Sequence, residues 1–334
     1  MSAMNLCIIG CGAIARRHAK MLIRRRSDVE LYVASRFIEK ASAFARSYGA
    51  KGFFGTYKEA MEDPKIHAVL ICTPNDQHYS QTLHALRAGK DVIVEKPMAI
   101  TSAQANEMNR TAKAAGRKLL VGENHRFRPS VRAVEKIIAN GDLGTLKMIR
   151  MNIMTSRKLS ANEWRSQPGQ MGGGPLIDGG IHWVNVLLTY GGGSAVQLTA
   201  KIPPRTQPNY PGEDTIAILA ECQNGASATL TYSWGIRGTP TLKFYSLHGS
   251  EGSLYVSNHG FFGWMSGKRR SFKIFPLVDW QGFDSMWNHF IDVLKNDAPC
   301  RMGGLEGLRD VAFVEKAYES AKRGESISLS VRRV

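Results

Sequence analysis

The stretch Leu6-Cys7-Ile8-Ile9-Gly10-Cys11-Gly12-Ala13-Ile14-Ala15 decides the fold. Its first four residues are a short apolar run of the kind that forms a strand buried on both faces. The next six residues, Gly10 to Ala15, spell G-x-G-x-x-A. Gly10 permits a tight turn, Gly12 lets the backbone approach a pyrophosphate, and Ala15 lets a helix pack closely on the strand. From Ala13 to Arg26 the apolar residues Ile14, Leu22 and Ile23 fall at helical spacing. The free amides and positive dipole end of such a helix attract phosphate. Strand, glycine turn and helix in this order give the fingerprint its meaning, the opening of a βαβ unit that takes a dinucleotide through Gly10, Gly12, Ala13 and Ile14.

The alternation continues outward from this unit. Val29–Ala34, Ala68–Cys72, Val92–Val94 and Leu119–Val121 read as strands. Between them Ser42–Tyr48 reads as a helix ending at Gly49, Gln77–Ala88 as one closed by Gly89, and Ser102–Ala115 as one stopped by Gly116. Short apolar strands separated by helices predict a doubly wound parallel sheet, a Rossmann domain over residues 1–122. After Gly122 the pattern changes. Leu146–Thr155 is long and strand-like, Asp214–Gln223 and Ala226–Trp234 are joined by the hairpin signal Asn224-Gly225, and Thr241–Leu247 and Ser253–Val256 add strand. Consecutive strands predict a largely antiparallel sheet in a second domain over residues 123–334. Helices over Asp284–Lys295 and Leu305–Arg323 close the chain, and Pro203–Gly212, with Pro203, Pro204, Pro208 and Pro211, is a loop.

The end of the second strand chooses between cofactors. NAD sites place an acid there for the ribose hydroxyls. This strand ends Ala34-Ser35-Arg36, with Glu30 at its start and Glu39 in the next helix. Arg36 can bind a 2′-phosphate and Ser35 can donate to it, at about 1.5–3 kcal/mol per charge-assisted bond. The expected cofactor is NADP, with NAD as the alternative if Arg36 only stacks on adenine.

Two further motifs carry chemistry. Val94-Glu95-Lys96-Pro97 puts a lysine at the carboxyl end of a parallel strand, in the ligand crevice. The run Gly172-Gly173-Gly174-Pro175-Leu176-Ile177-Asp178-Gly179-Gly180-Ile181-His182 lets Pro175 begin a helix with Asp178 and His182 at i and i+4 on one face. With the opening fingerprint, these residues resemble the Gfo/Idh/MocA oxidoreductases, the family of inositol and glucose–fructose oxidoreductases. The resemblance covers nearly the whole chain. It includes Thr73-Pro74-Asn75 with His78, Arg126-Phe127-x-Pro129, Gly141-x-Leu143-Gly144 and Trp164-Arg165. One position departs: the family often has an acid three residues after the histidine, where this chain has Asn185.

The resemblance implies a Rossmann domain followed by an α/β domain with an open, mostly antiparallel sheet, and oligomers, commonly dimers or tetramers, built through that sheet. It implies a Lys–Asp–His group that removes a hydroxyl proton while hydride moves to the nicotinamide. It also implies that the Lys96–Pro97 bond is cis. The chemistry of the residues agrees. Histidine suits a proton transfer near neutrality. Asp178 can orient the imidazole and stabilise its cation. Lys96 can donate to the reacting oxygen. Gly179 and Gly180 are expected to leave space for substrate. On this reading Lys96, Asp178 and His182 are catalytic. Thr73, Asn75, His78, Glu95, Lys96 and Arg165 join Ser35 and Arg36 at the cofactor, and Asn124 joins the catalytic three at the substrate. Trp164 is expected to close over cofactor or substrate, and Arg126 to line the cleft. The remaining histidines carry no motif.

Composition bounds the partners. Lys and Arg number 44 against 28 Asp and Glu, a net charge of +16 that attracts anions. A phosphorylated or acidic substrate, a dinucleotide phosphate and an ordinary basic surface all account for it. The basic runs Arg24-Arg25-Arg26, Lys268-Arg269-Arg270 and Arg332-Arg333 are short and lack interleaved aromatics, which argues against nucleic acid. The five cysteines, Cys7, Cys11, Cys72, Cys222 and Cys300, are odd in number and scattered, which argues against a disulfide framework, and no metal cluster is visible. No leader precedes the first strand and no apolar run spans a membrane, so the expected place is the cytoplasm. The expected function is hydride transfer between a secondary alcohol of a sugar, inositol or related polyol and NAD(P). The alternatives are a redox-neutral epimerase or glycosidase with trapped cofactor, and a cofactor-binding regulator. The intact Lys96, Asp178 and His182 count against the regulator.

Overall fold

The computed structural model describes residues 3–25, 27–167, 169–206, 209–237 and 242–329. Arg26, Pro208, Thr241, Arg332 and Arg333 lie outside the described residues. The chain divides into two compact units, Met1–Glu123 with Phe283–Leu308 and Asn124–Gly282 with Arg309–Val334. The sequence pattern assigns everything after Gly122 to the second domain. Helix Phe283–Asn296 instead packs against the first helix of the first unit, with Met286, Trp287 and Phe290 fully buried. Its amphipathic pattern announces a buried face but not the surface that buries it.

The first unit is built on β1 (Met4–Ile9), α1 (Ala13–Ile23), β2 (Val29–Ala34), α2 (Ile38–Tyr48), β3 (Gly52–Phe54), α3 (Tyr57–Glu62), β4 (Ala68–Ile71), α4 (Asn75–Arg87), β5 (Asp91–Glu95), α5 (Ser102–Ala115) and β6 (Leu119–Gly122). The sheet order is β3-β2-β1-β4-β5-β6, with every pair parallel. Leu6 to Ile9 and Ala68 to Ile71 have no exposed surface. Helices on both faces require such continuous apolar runs. The order reverses between β1 and β4, so their carboxyl ends diverge into a crevice. Sequence reasoning misses β3 and α3, short elements without an apolar run long enough to stand out. It also begins α2 at Ser42, four residues late.

The second unit holds α6 (Pro129–Ala139), β7 (Leu146–Met154), α7 (Ile181–Tyr190), β8 (Ala195–Lys201), β9 (Thr215–Cys222), β10 (Ser227–Ser233), β11 (Phe244–Gly249), β12 (Gly252–Ser257), β13 (Phe262–Gly267), β14 (Ser271–Ile274) and β15 (Ile327–Ser328). Its nine strands run β14-β13-β12-β11-β7-β10-β9-β8-β15, parallel at β7–β10 and antiparallel elsewhere. Alternation sets the faces. Ile216, Ile218, Ala220 and Cys222 of β9 are buried while Leu219 is 54% exposed. Asn224-Gly225 turns β9 into β10 with Gly225 at φ +80°. The five cysteines are free. Among the described residues no helix is long and apolar enough to cross a membrane.

Candidate active site

The turn after β1 is shaped for a phosphate-bearing ligand. Gly10 sits at φ +103°, and a Cβ there would come within 3.2 Å of the Cys72 carbonyl oxygen. Gly12 caps α1 with no side-chain hydrogen bond, no acid lies in the first helical turn, and a Cβ on Gly12 would meet nothing within 4 Å. Gly12 and Ala13 are exposed, Ile14 is half-buried and Ala15 is fully buried. The first amides of α1 are thus open, uncapped and free of competing negative charge, as a pyrophosphate requires.

Beside this turn β2 ends in Ser35, whose hydroxyl accepts from the Phe37 amide at 3.2 Å and bonds the Cys11 thiol. Arg36 is exposed and bonds the Tyr57 phenol, which burial pushes up and the guanidinium pulls back. Lys40 lies 4.6 Å from the Phe37 ring centroid. Glu30 is held by Lys51 at 2.6 Å, at the far end of the strand. Cations therefore dominate the end of β2.

The ends of β4 and β5 are braced from within. Thr73 donates to Gln81 at 2.7 Å. Asn75, at the start of α4, is 3% exposed. Both ring nitrogens of His78 bond main-chain carbonyls, Pro97 at 2.8 Å and Thr73 at 2.9 Å, and burial lowers its pKa. The sequence reading puts His78 at the cofactor; with 1% exposure it holds two loop segments together. The Lys96–Pro97 bond is cis. Glu95 accepts from the Lys96 amide at 3.3 Å and from His18 Nε2 at 2.6 Å, while the Trp287 indole donates to His18 Nδ1 at 2.9 Å. An indole only donates, so Nδ1 accepts and the ring proton sits on Nε2, facing the carboxylate. Glu95 thus braces the Lys96 backbone from a buried position.

In the second unit the glycine-rich run leads into a π-helical turn, Leu176–Gly180, that continues as α7. The sequence predicts an α-helix from Pro175; the wider turn carries Asp178, and His182 lies in the first turn of α7. Asp178 is 3% exposed and accepts from Arg165 Nε at 2.6 Å and Nη2 at 3.5 Å, with the guanidinium 4.2 Å from the Trp164 ring centroid. Arg165, expected at the cofactor, thus holds the carboxylate. The His182 ring stacks on His125 with centroids 4.2 Å apart. Gly179 and Gly180 do not clear space for substrate as expected. A Cβ on Gly179 would lie 2.3 Å from the Tyr232 hydroxyl, and one on Gly180 3.0 Å from the Tyr232 ring. Close packing of β10 on the turn is what requires glycine.

Other residues named from sequence make bonds within their own unit. Asn124 donates to the Gln281 carbonyl at 2.7 Å. Arg126 pairs with Glu135 at 3.2 Å and bonds the Thr189 hydroxyl. Asn185 donates to the buried Asp310 at 2.6 Å, so the acid missing three residues after His182 is met from a distant helix. Sequence reasoning misses His18, Trp287, His125 and Glu213. His18 carries a signal, falling with Ala15, Ala19 and Leu22 on the buried face of α1. The others show only in three dimensions.

Comparison with known proteins fits this geometry. Residues 4–123 match the family described as "Oxidoreductase family, NAD-binding Rossmann fold", and residues 131–255 match the "GFO/IDH/MocA C-terminal domain". The mouse trans-1,2-dihydrobenzene-1,2-diol dehydrogenase is 30% identical over 236 residues, 69% of this chain and 68% of that one. The Escherichia coli D-glucoside 3-dehydrogenase is 33% identical over 199 residues, 59% and 56% of the two chains. The solved aldose-aldose oxidoreductase of Caulobacter crescentus, complexed with glycerol, superposes with a TM-score of 0.88 at 25% identity, covering 98% of this chain and all of its own.

Proposed function

Because the chain belongs to the Gfo/Idh/MocA oxidoreductase family, we propose that it interconverts a secondary alcohol of a sugar, inositol or related polyol with its ketone, using a nicotinamide dinucleotide. The observation that carries this reading is the uncapped, acid-free start of α1 at the carboxyl edge of a 3-2-1-4-5-6 sheet. The relatives named for glucosides, diols and aldoses support the substrate class. Bound there, the nicotinamide would supply the site that accepts or gives hydride. The α1 amides, Gly10, Gly12, Ala13 and Ile14 would hold the pyrophosphate. Ser35 and Arg36, with Tyr57 behind the guanidinium, would favour a 2′-phosphate, so NADP is the preferred cofactor.

The proton falls to the chain's own side chains. His182 takes it from the substrate hydroxyl, at a pH where an imidazole can both accept and release it. Asp178, fixed by Arg165, offsets the charge His182 acquires. Lys96, its backbone tied to Glu95, donates to the oxygen on which negative charge develops. The outward face of the second sheet, with Met148, Val196 and Leu219 each at least 40% exposed, is the proposed contact of a homodimer or homotetramer.

The test is nicotinamide absorbance over time with NADP, then NAD, against inositols, sugars, sugar phosphates, sugar acids and diols. Turnover with NADP and one substrate group is the expected result. Turnover with NAD alone overturns the role given to Ser35 and Arg36. Bound cofactor without turnover on any of the panel overturns net redox function.

A further inference from the structure

Within the second unit, one ring away from His182, lies a cavity of about 330 Å³. His125, which stacks on His182, forms part of its wall, together with Arg128, Trp183, Lys243, His259 and Trp280. Two of these residues are an arginine and a lysine, two are imidazoles, and none of the described lining residues is acidic. Ligand pockets run from about 300 to 1,000 Å³, so this one, at the small end, suits a group of monosaccharide size.

The two cations are held differently. Arg128 is 4% exposed, and its donors are committed to main-chain carbonyls: Trp280 at 3.3 Å, Asn258 at 3.1 Å, and His259. Its guanidinium lies 5.9 Å from the ring centroids of both Trp183 and Trp280. These contacts fix its position in the cavity wall. Lys243 donates to the Met154 carbonyl and makes no salt bridge with a described residue. An ammonium has three donors, and one carbonyl takes one of them. Lys243 is half-buried, and an ammonium drawn partly from water favours a counter-charge. The two indoles meanwhile offer apolar faces to the C–H side of a sugar ring.

Resting on the polyol oxidoreductase reading above, we propose that the substrate is a monosaccharide-sized anion, a sugar acid or a sugar phosphate. Lys243 holds its charged group directly. The +16 net charge then has a local counterpart at the substrate.

The experiment is calorimetric titration of the protein saturated with oxidised cofactor. Ligands are aldonates, uronates, hexose 6-phosphates and the parent neutral sugars, in gluco, galacto and manno configurations. At least one anion is expected to bind about tenfold or more tightly than its neutral parent. Lys243→Gln lowers that ratio by about tenfold to a hundredfold, and Lys243→Arg restores most of it. Tighter carboxylates than phosphates assign sugar acids; the reverse assigns sugar phosphates. Equal binding of anion and parent, no anion binding at all, or a ratio indifferent to Lys243→Gln overturns the inference. Anion binding that responds to Lys243→Gln while no ligand changes the nicotinamide absorbance leaves this site standing and sinks the hydride-transfer reading. Turnover confined to neutral sugars does the opposite.

Discussion

Glu213 gives the sharpest test of the energetics around the π-turn. Its carboxyl is 7% exposed, and one oxygen accepts from the Leu176 amide at 2.9 Å and the Tyr318 hydroxyl at 3.0 Å. Burial pushes its pKa from 4.5 up to about 7, although main-chain amides of Leu176, Gly174 and Glu213 itself favour the ionised form. Below about pH 4.5 the group is protonated whether the chain is folded or not. As pH rises, the unfolded chain ionises first and the folded one keeps its proton, so stability falls until the folded carboxyl also ionises near pH 7. The gap between the two values amounts to about 3 kcal/mol. Glu213→Gln removes the titration. It can also set an amide N–H against main-chain donors, but that cost is the same at every pH. Urea or thermal unfolding of both proteins at about pH 5 and pH 8 isolates the effect as a difference of differences. The variant should gain about 2.5 kcal/mol on the wild type between the two, because the unfolded carboxyl is already partly ionised at pH 5, or about 5–10 °C in melting temperature at the usual 2–4 °C per kcal/mol. Parallel curves would refute the reasoning, showing that the hydrogen bonds already hold the carboxylate ionised throughout.

Three further outcomes are expected. Lys96→Ala and His182→Ala each cut turnover at least about a hundredfold in the absorbance assay; near-normal rates in both would remove them from the chemistry. Arg36→Ala lowers the ratio of kcat/KM with NADP to that with NAD by about tenfold to a hundredfold, and an unchanged ratio would mean the guanidinium does not read the phosphate. His18→Leu leaves the Glu95 carboxylate without its 2.6 Å partner and the Trp287 indole without an acceptor. The cost is about 1.5–3 kcal/mol in chemical denaturation, the usual range for a hydrogen bond to a charged group, and a loss under about 1 kcal/mol would show that the brace carries no stability.

What the sequence makes legible is whatever its local order encodes. Gly10-Cys11-Gly12-Ala13-Ile14-Ala15 specifies a backbone path within six residues, and the structure adopts it. Asn224-Gly225 likewise names its own turn. Three-residue β3 and the strands β13 and β14 are not legible, because elements that short or that exposed have little apolar pattern. The supports are hidden for a different reason. His18 meets Glu95 across 77 positions and Trp287 across 269, and Leu176 meets Glu213 across 37. No window of sequence holds both partners. Gly179 and Gly180 mislead because glycine signals only that something comes close; the structure shows that it is Tyr232.

The two candidate catalytic segments share a logic that no motif states. Lys96 lies just past the end of a strand and Asp178 sits on a π-turn, positions with fewer of the backbone bonds that stiffen a helix or sheet interior. Each is steadied by a buried or half-buried polar chain from elsewhere in its own unit. For Lys96 the chain runs Trp287–His18–Glu95 to its amide. For Asp178 it has two arms, Arg165 on the carboxylate and Tyr318–Glu213 on the Leu176 amide that opens the turn. The Arg165 arm acts on the carboxylate itself: two donors of one planar guanidinium, at 2.6 and 3.5 Å, set the orientation of Asp178 as well as its place, which a single-point contact would leave free to rotate.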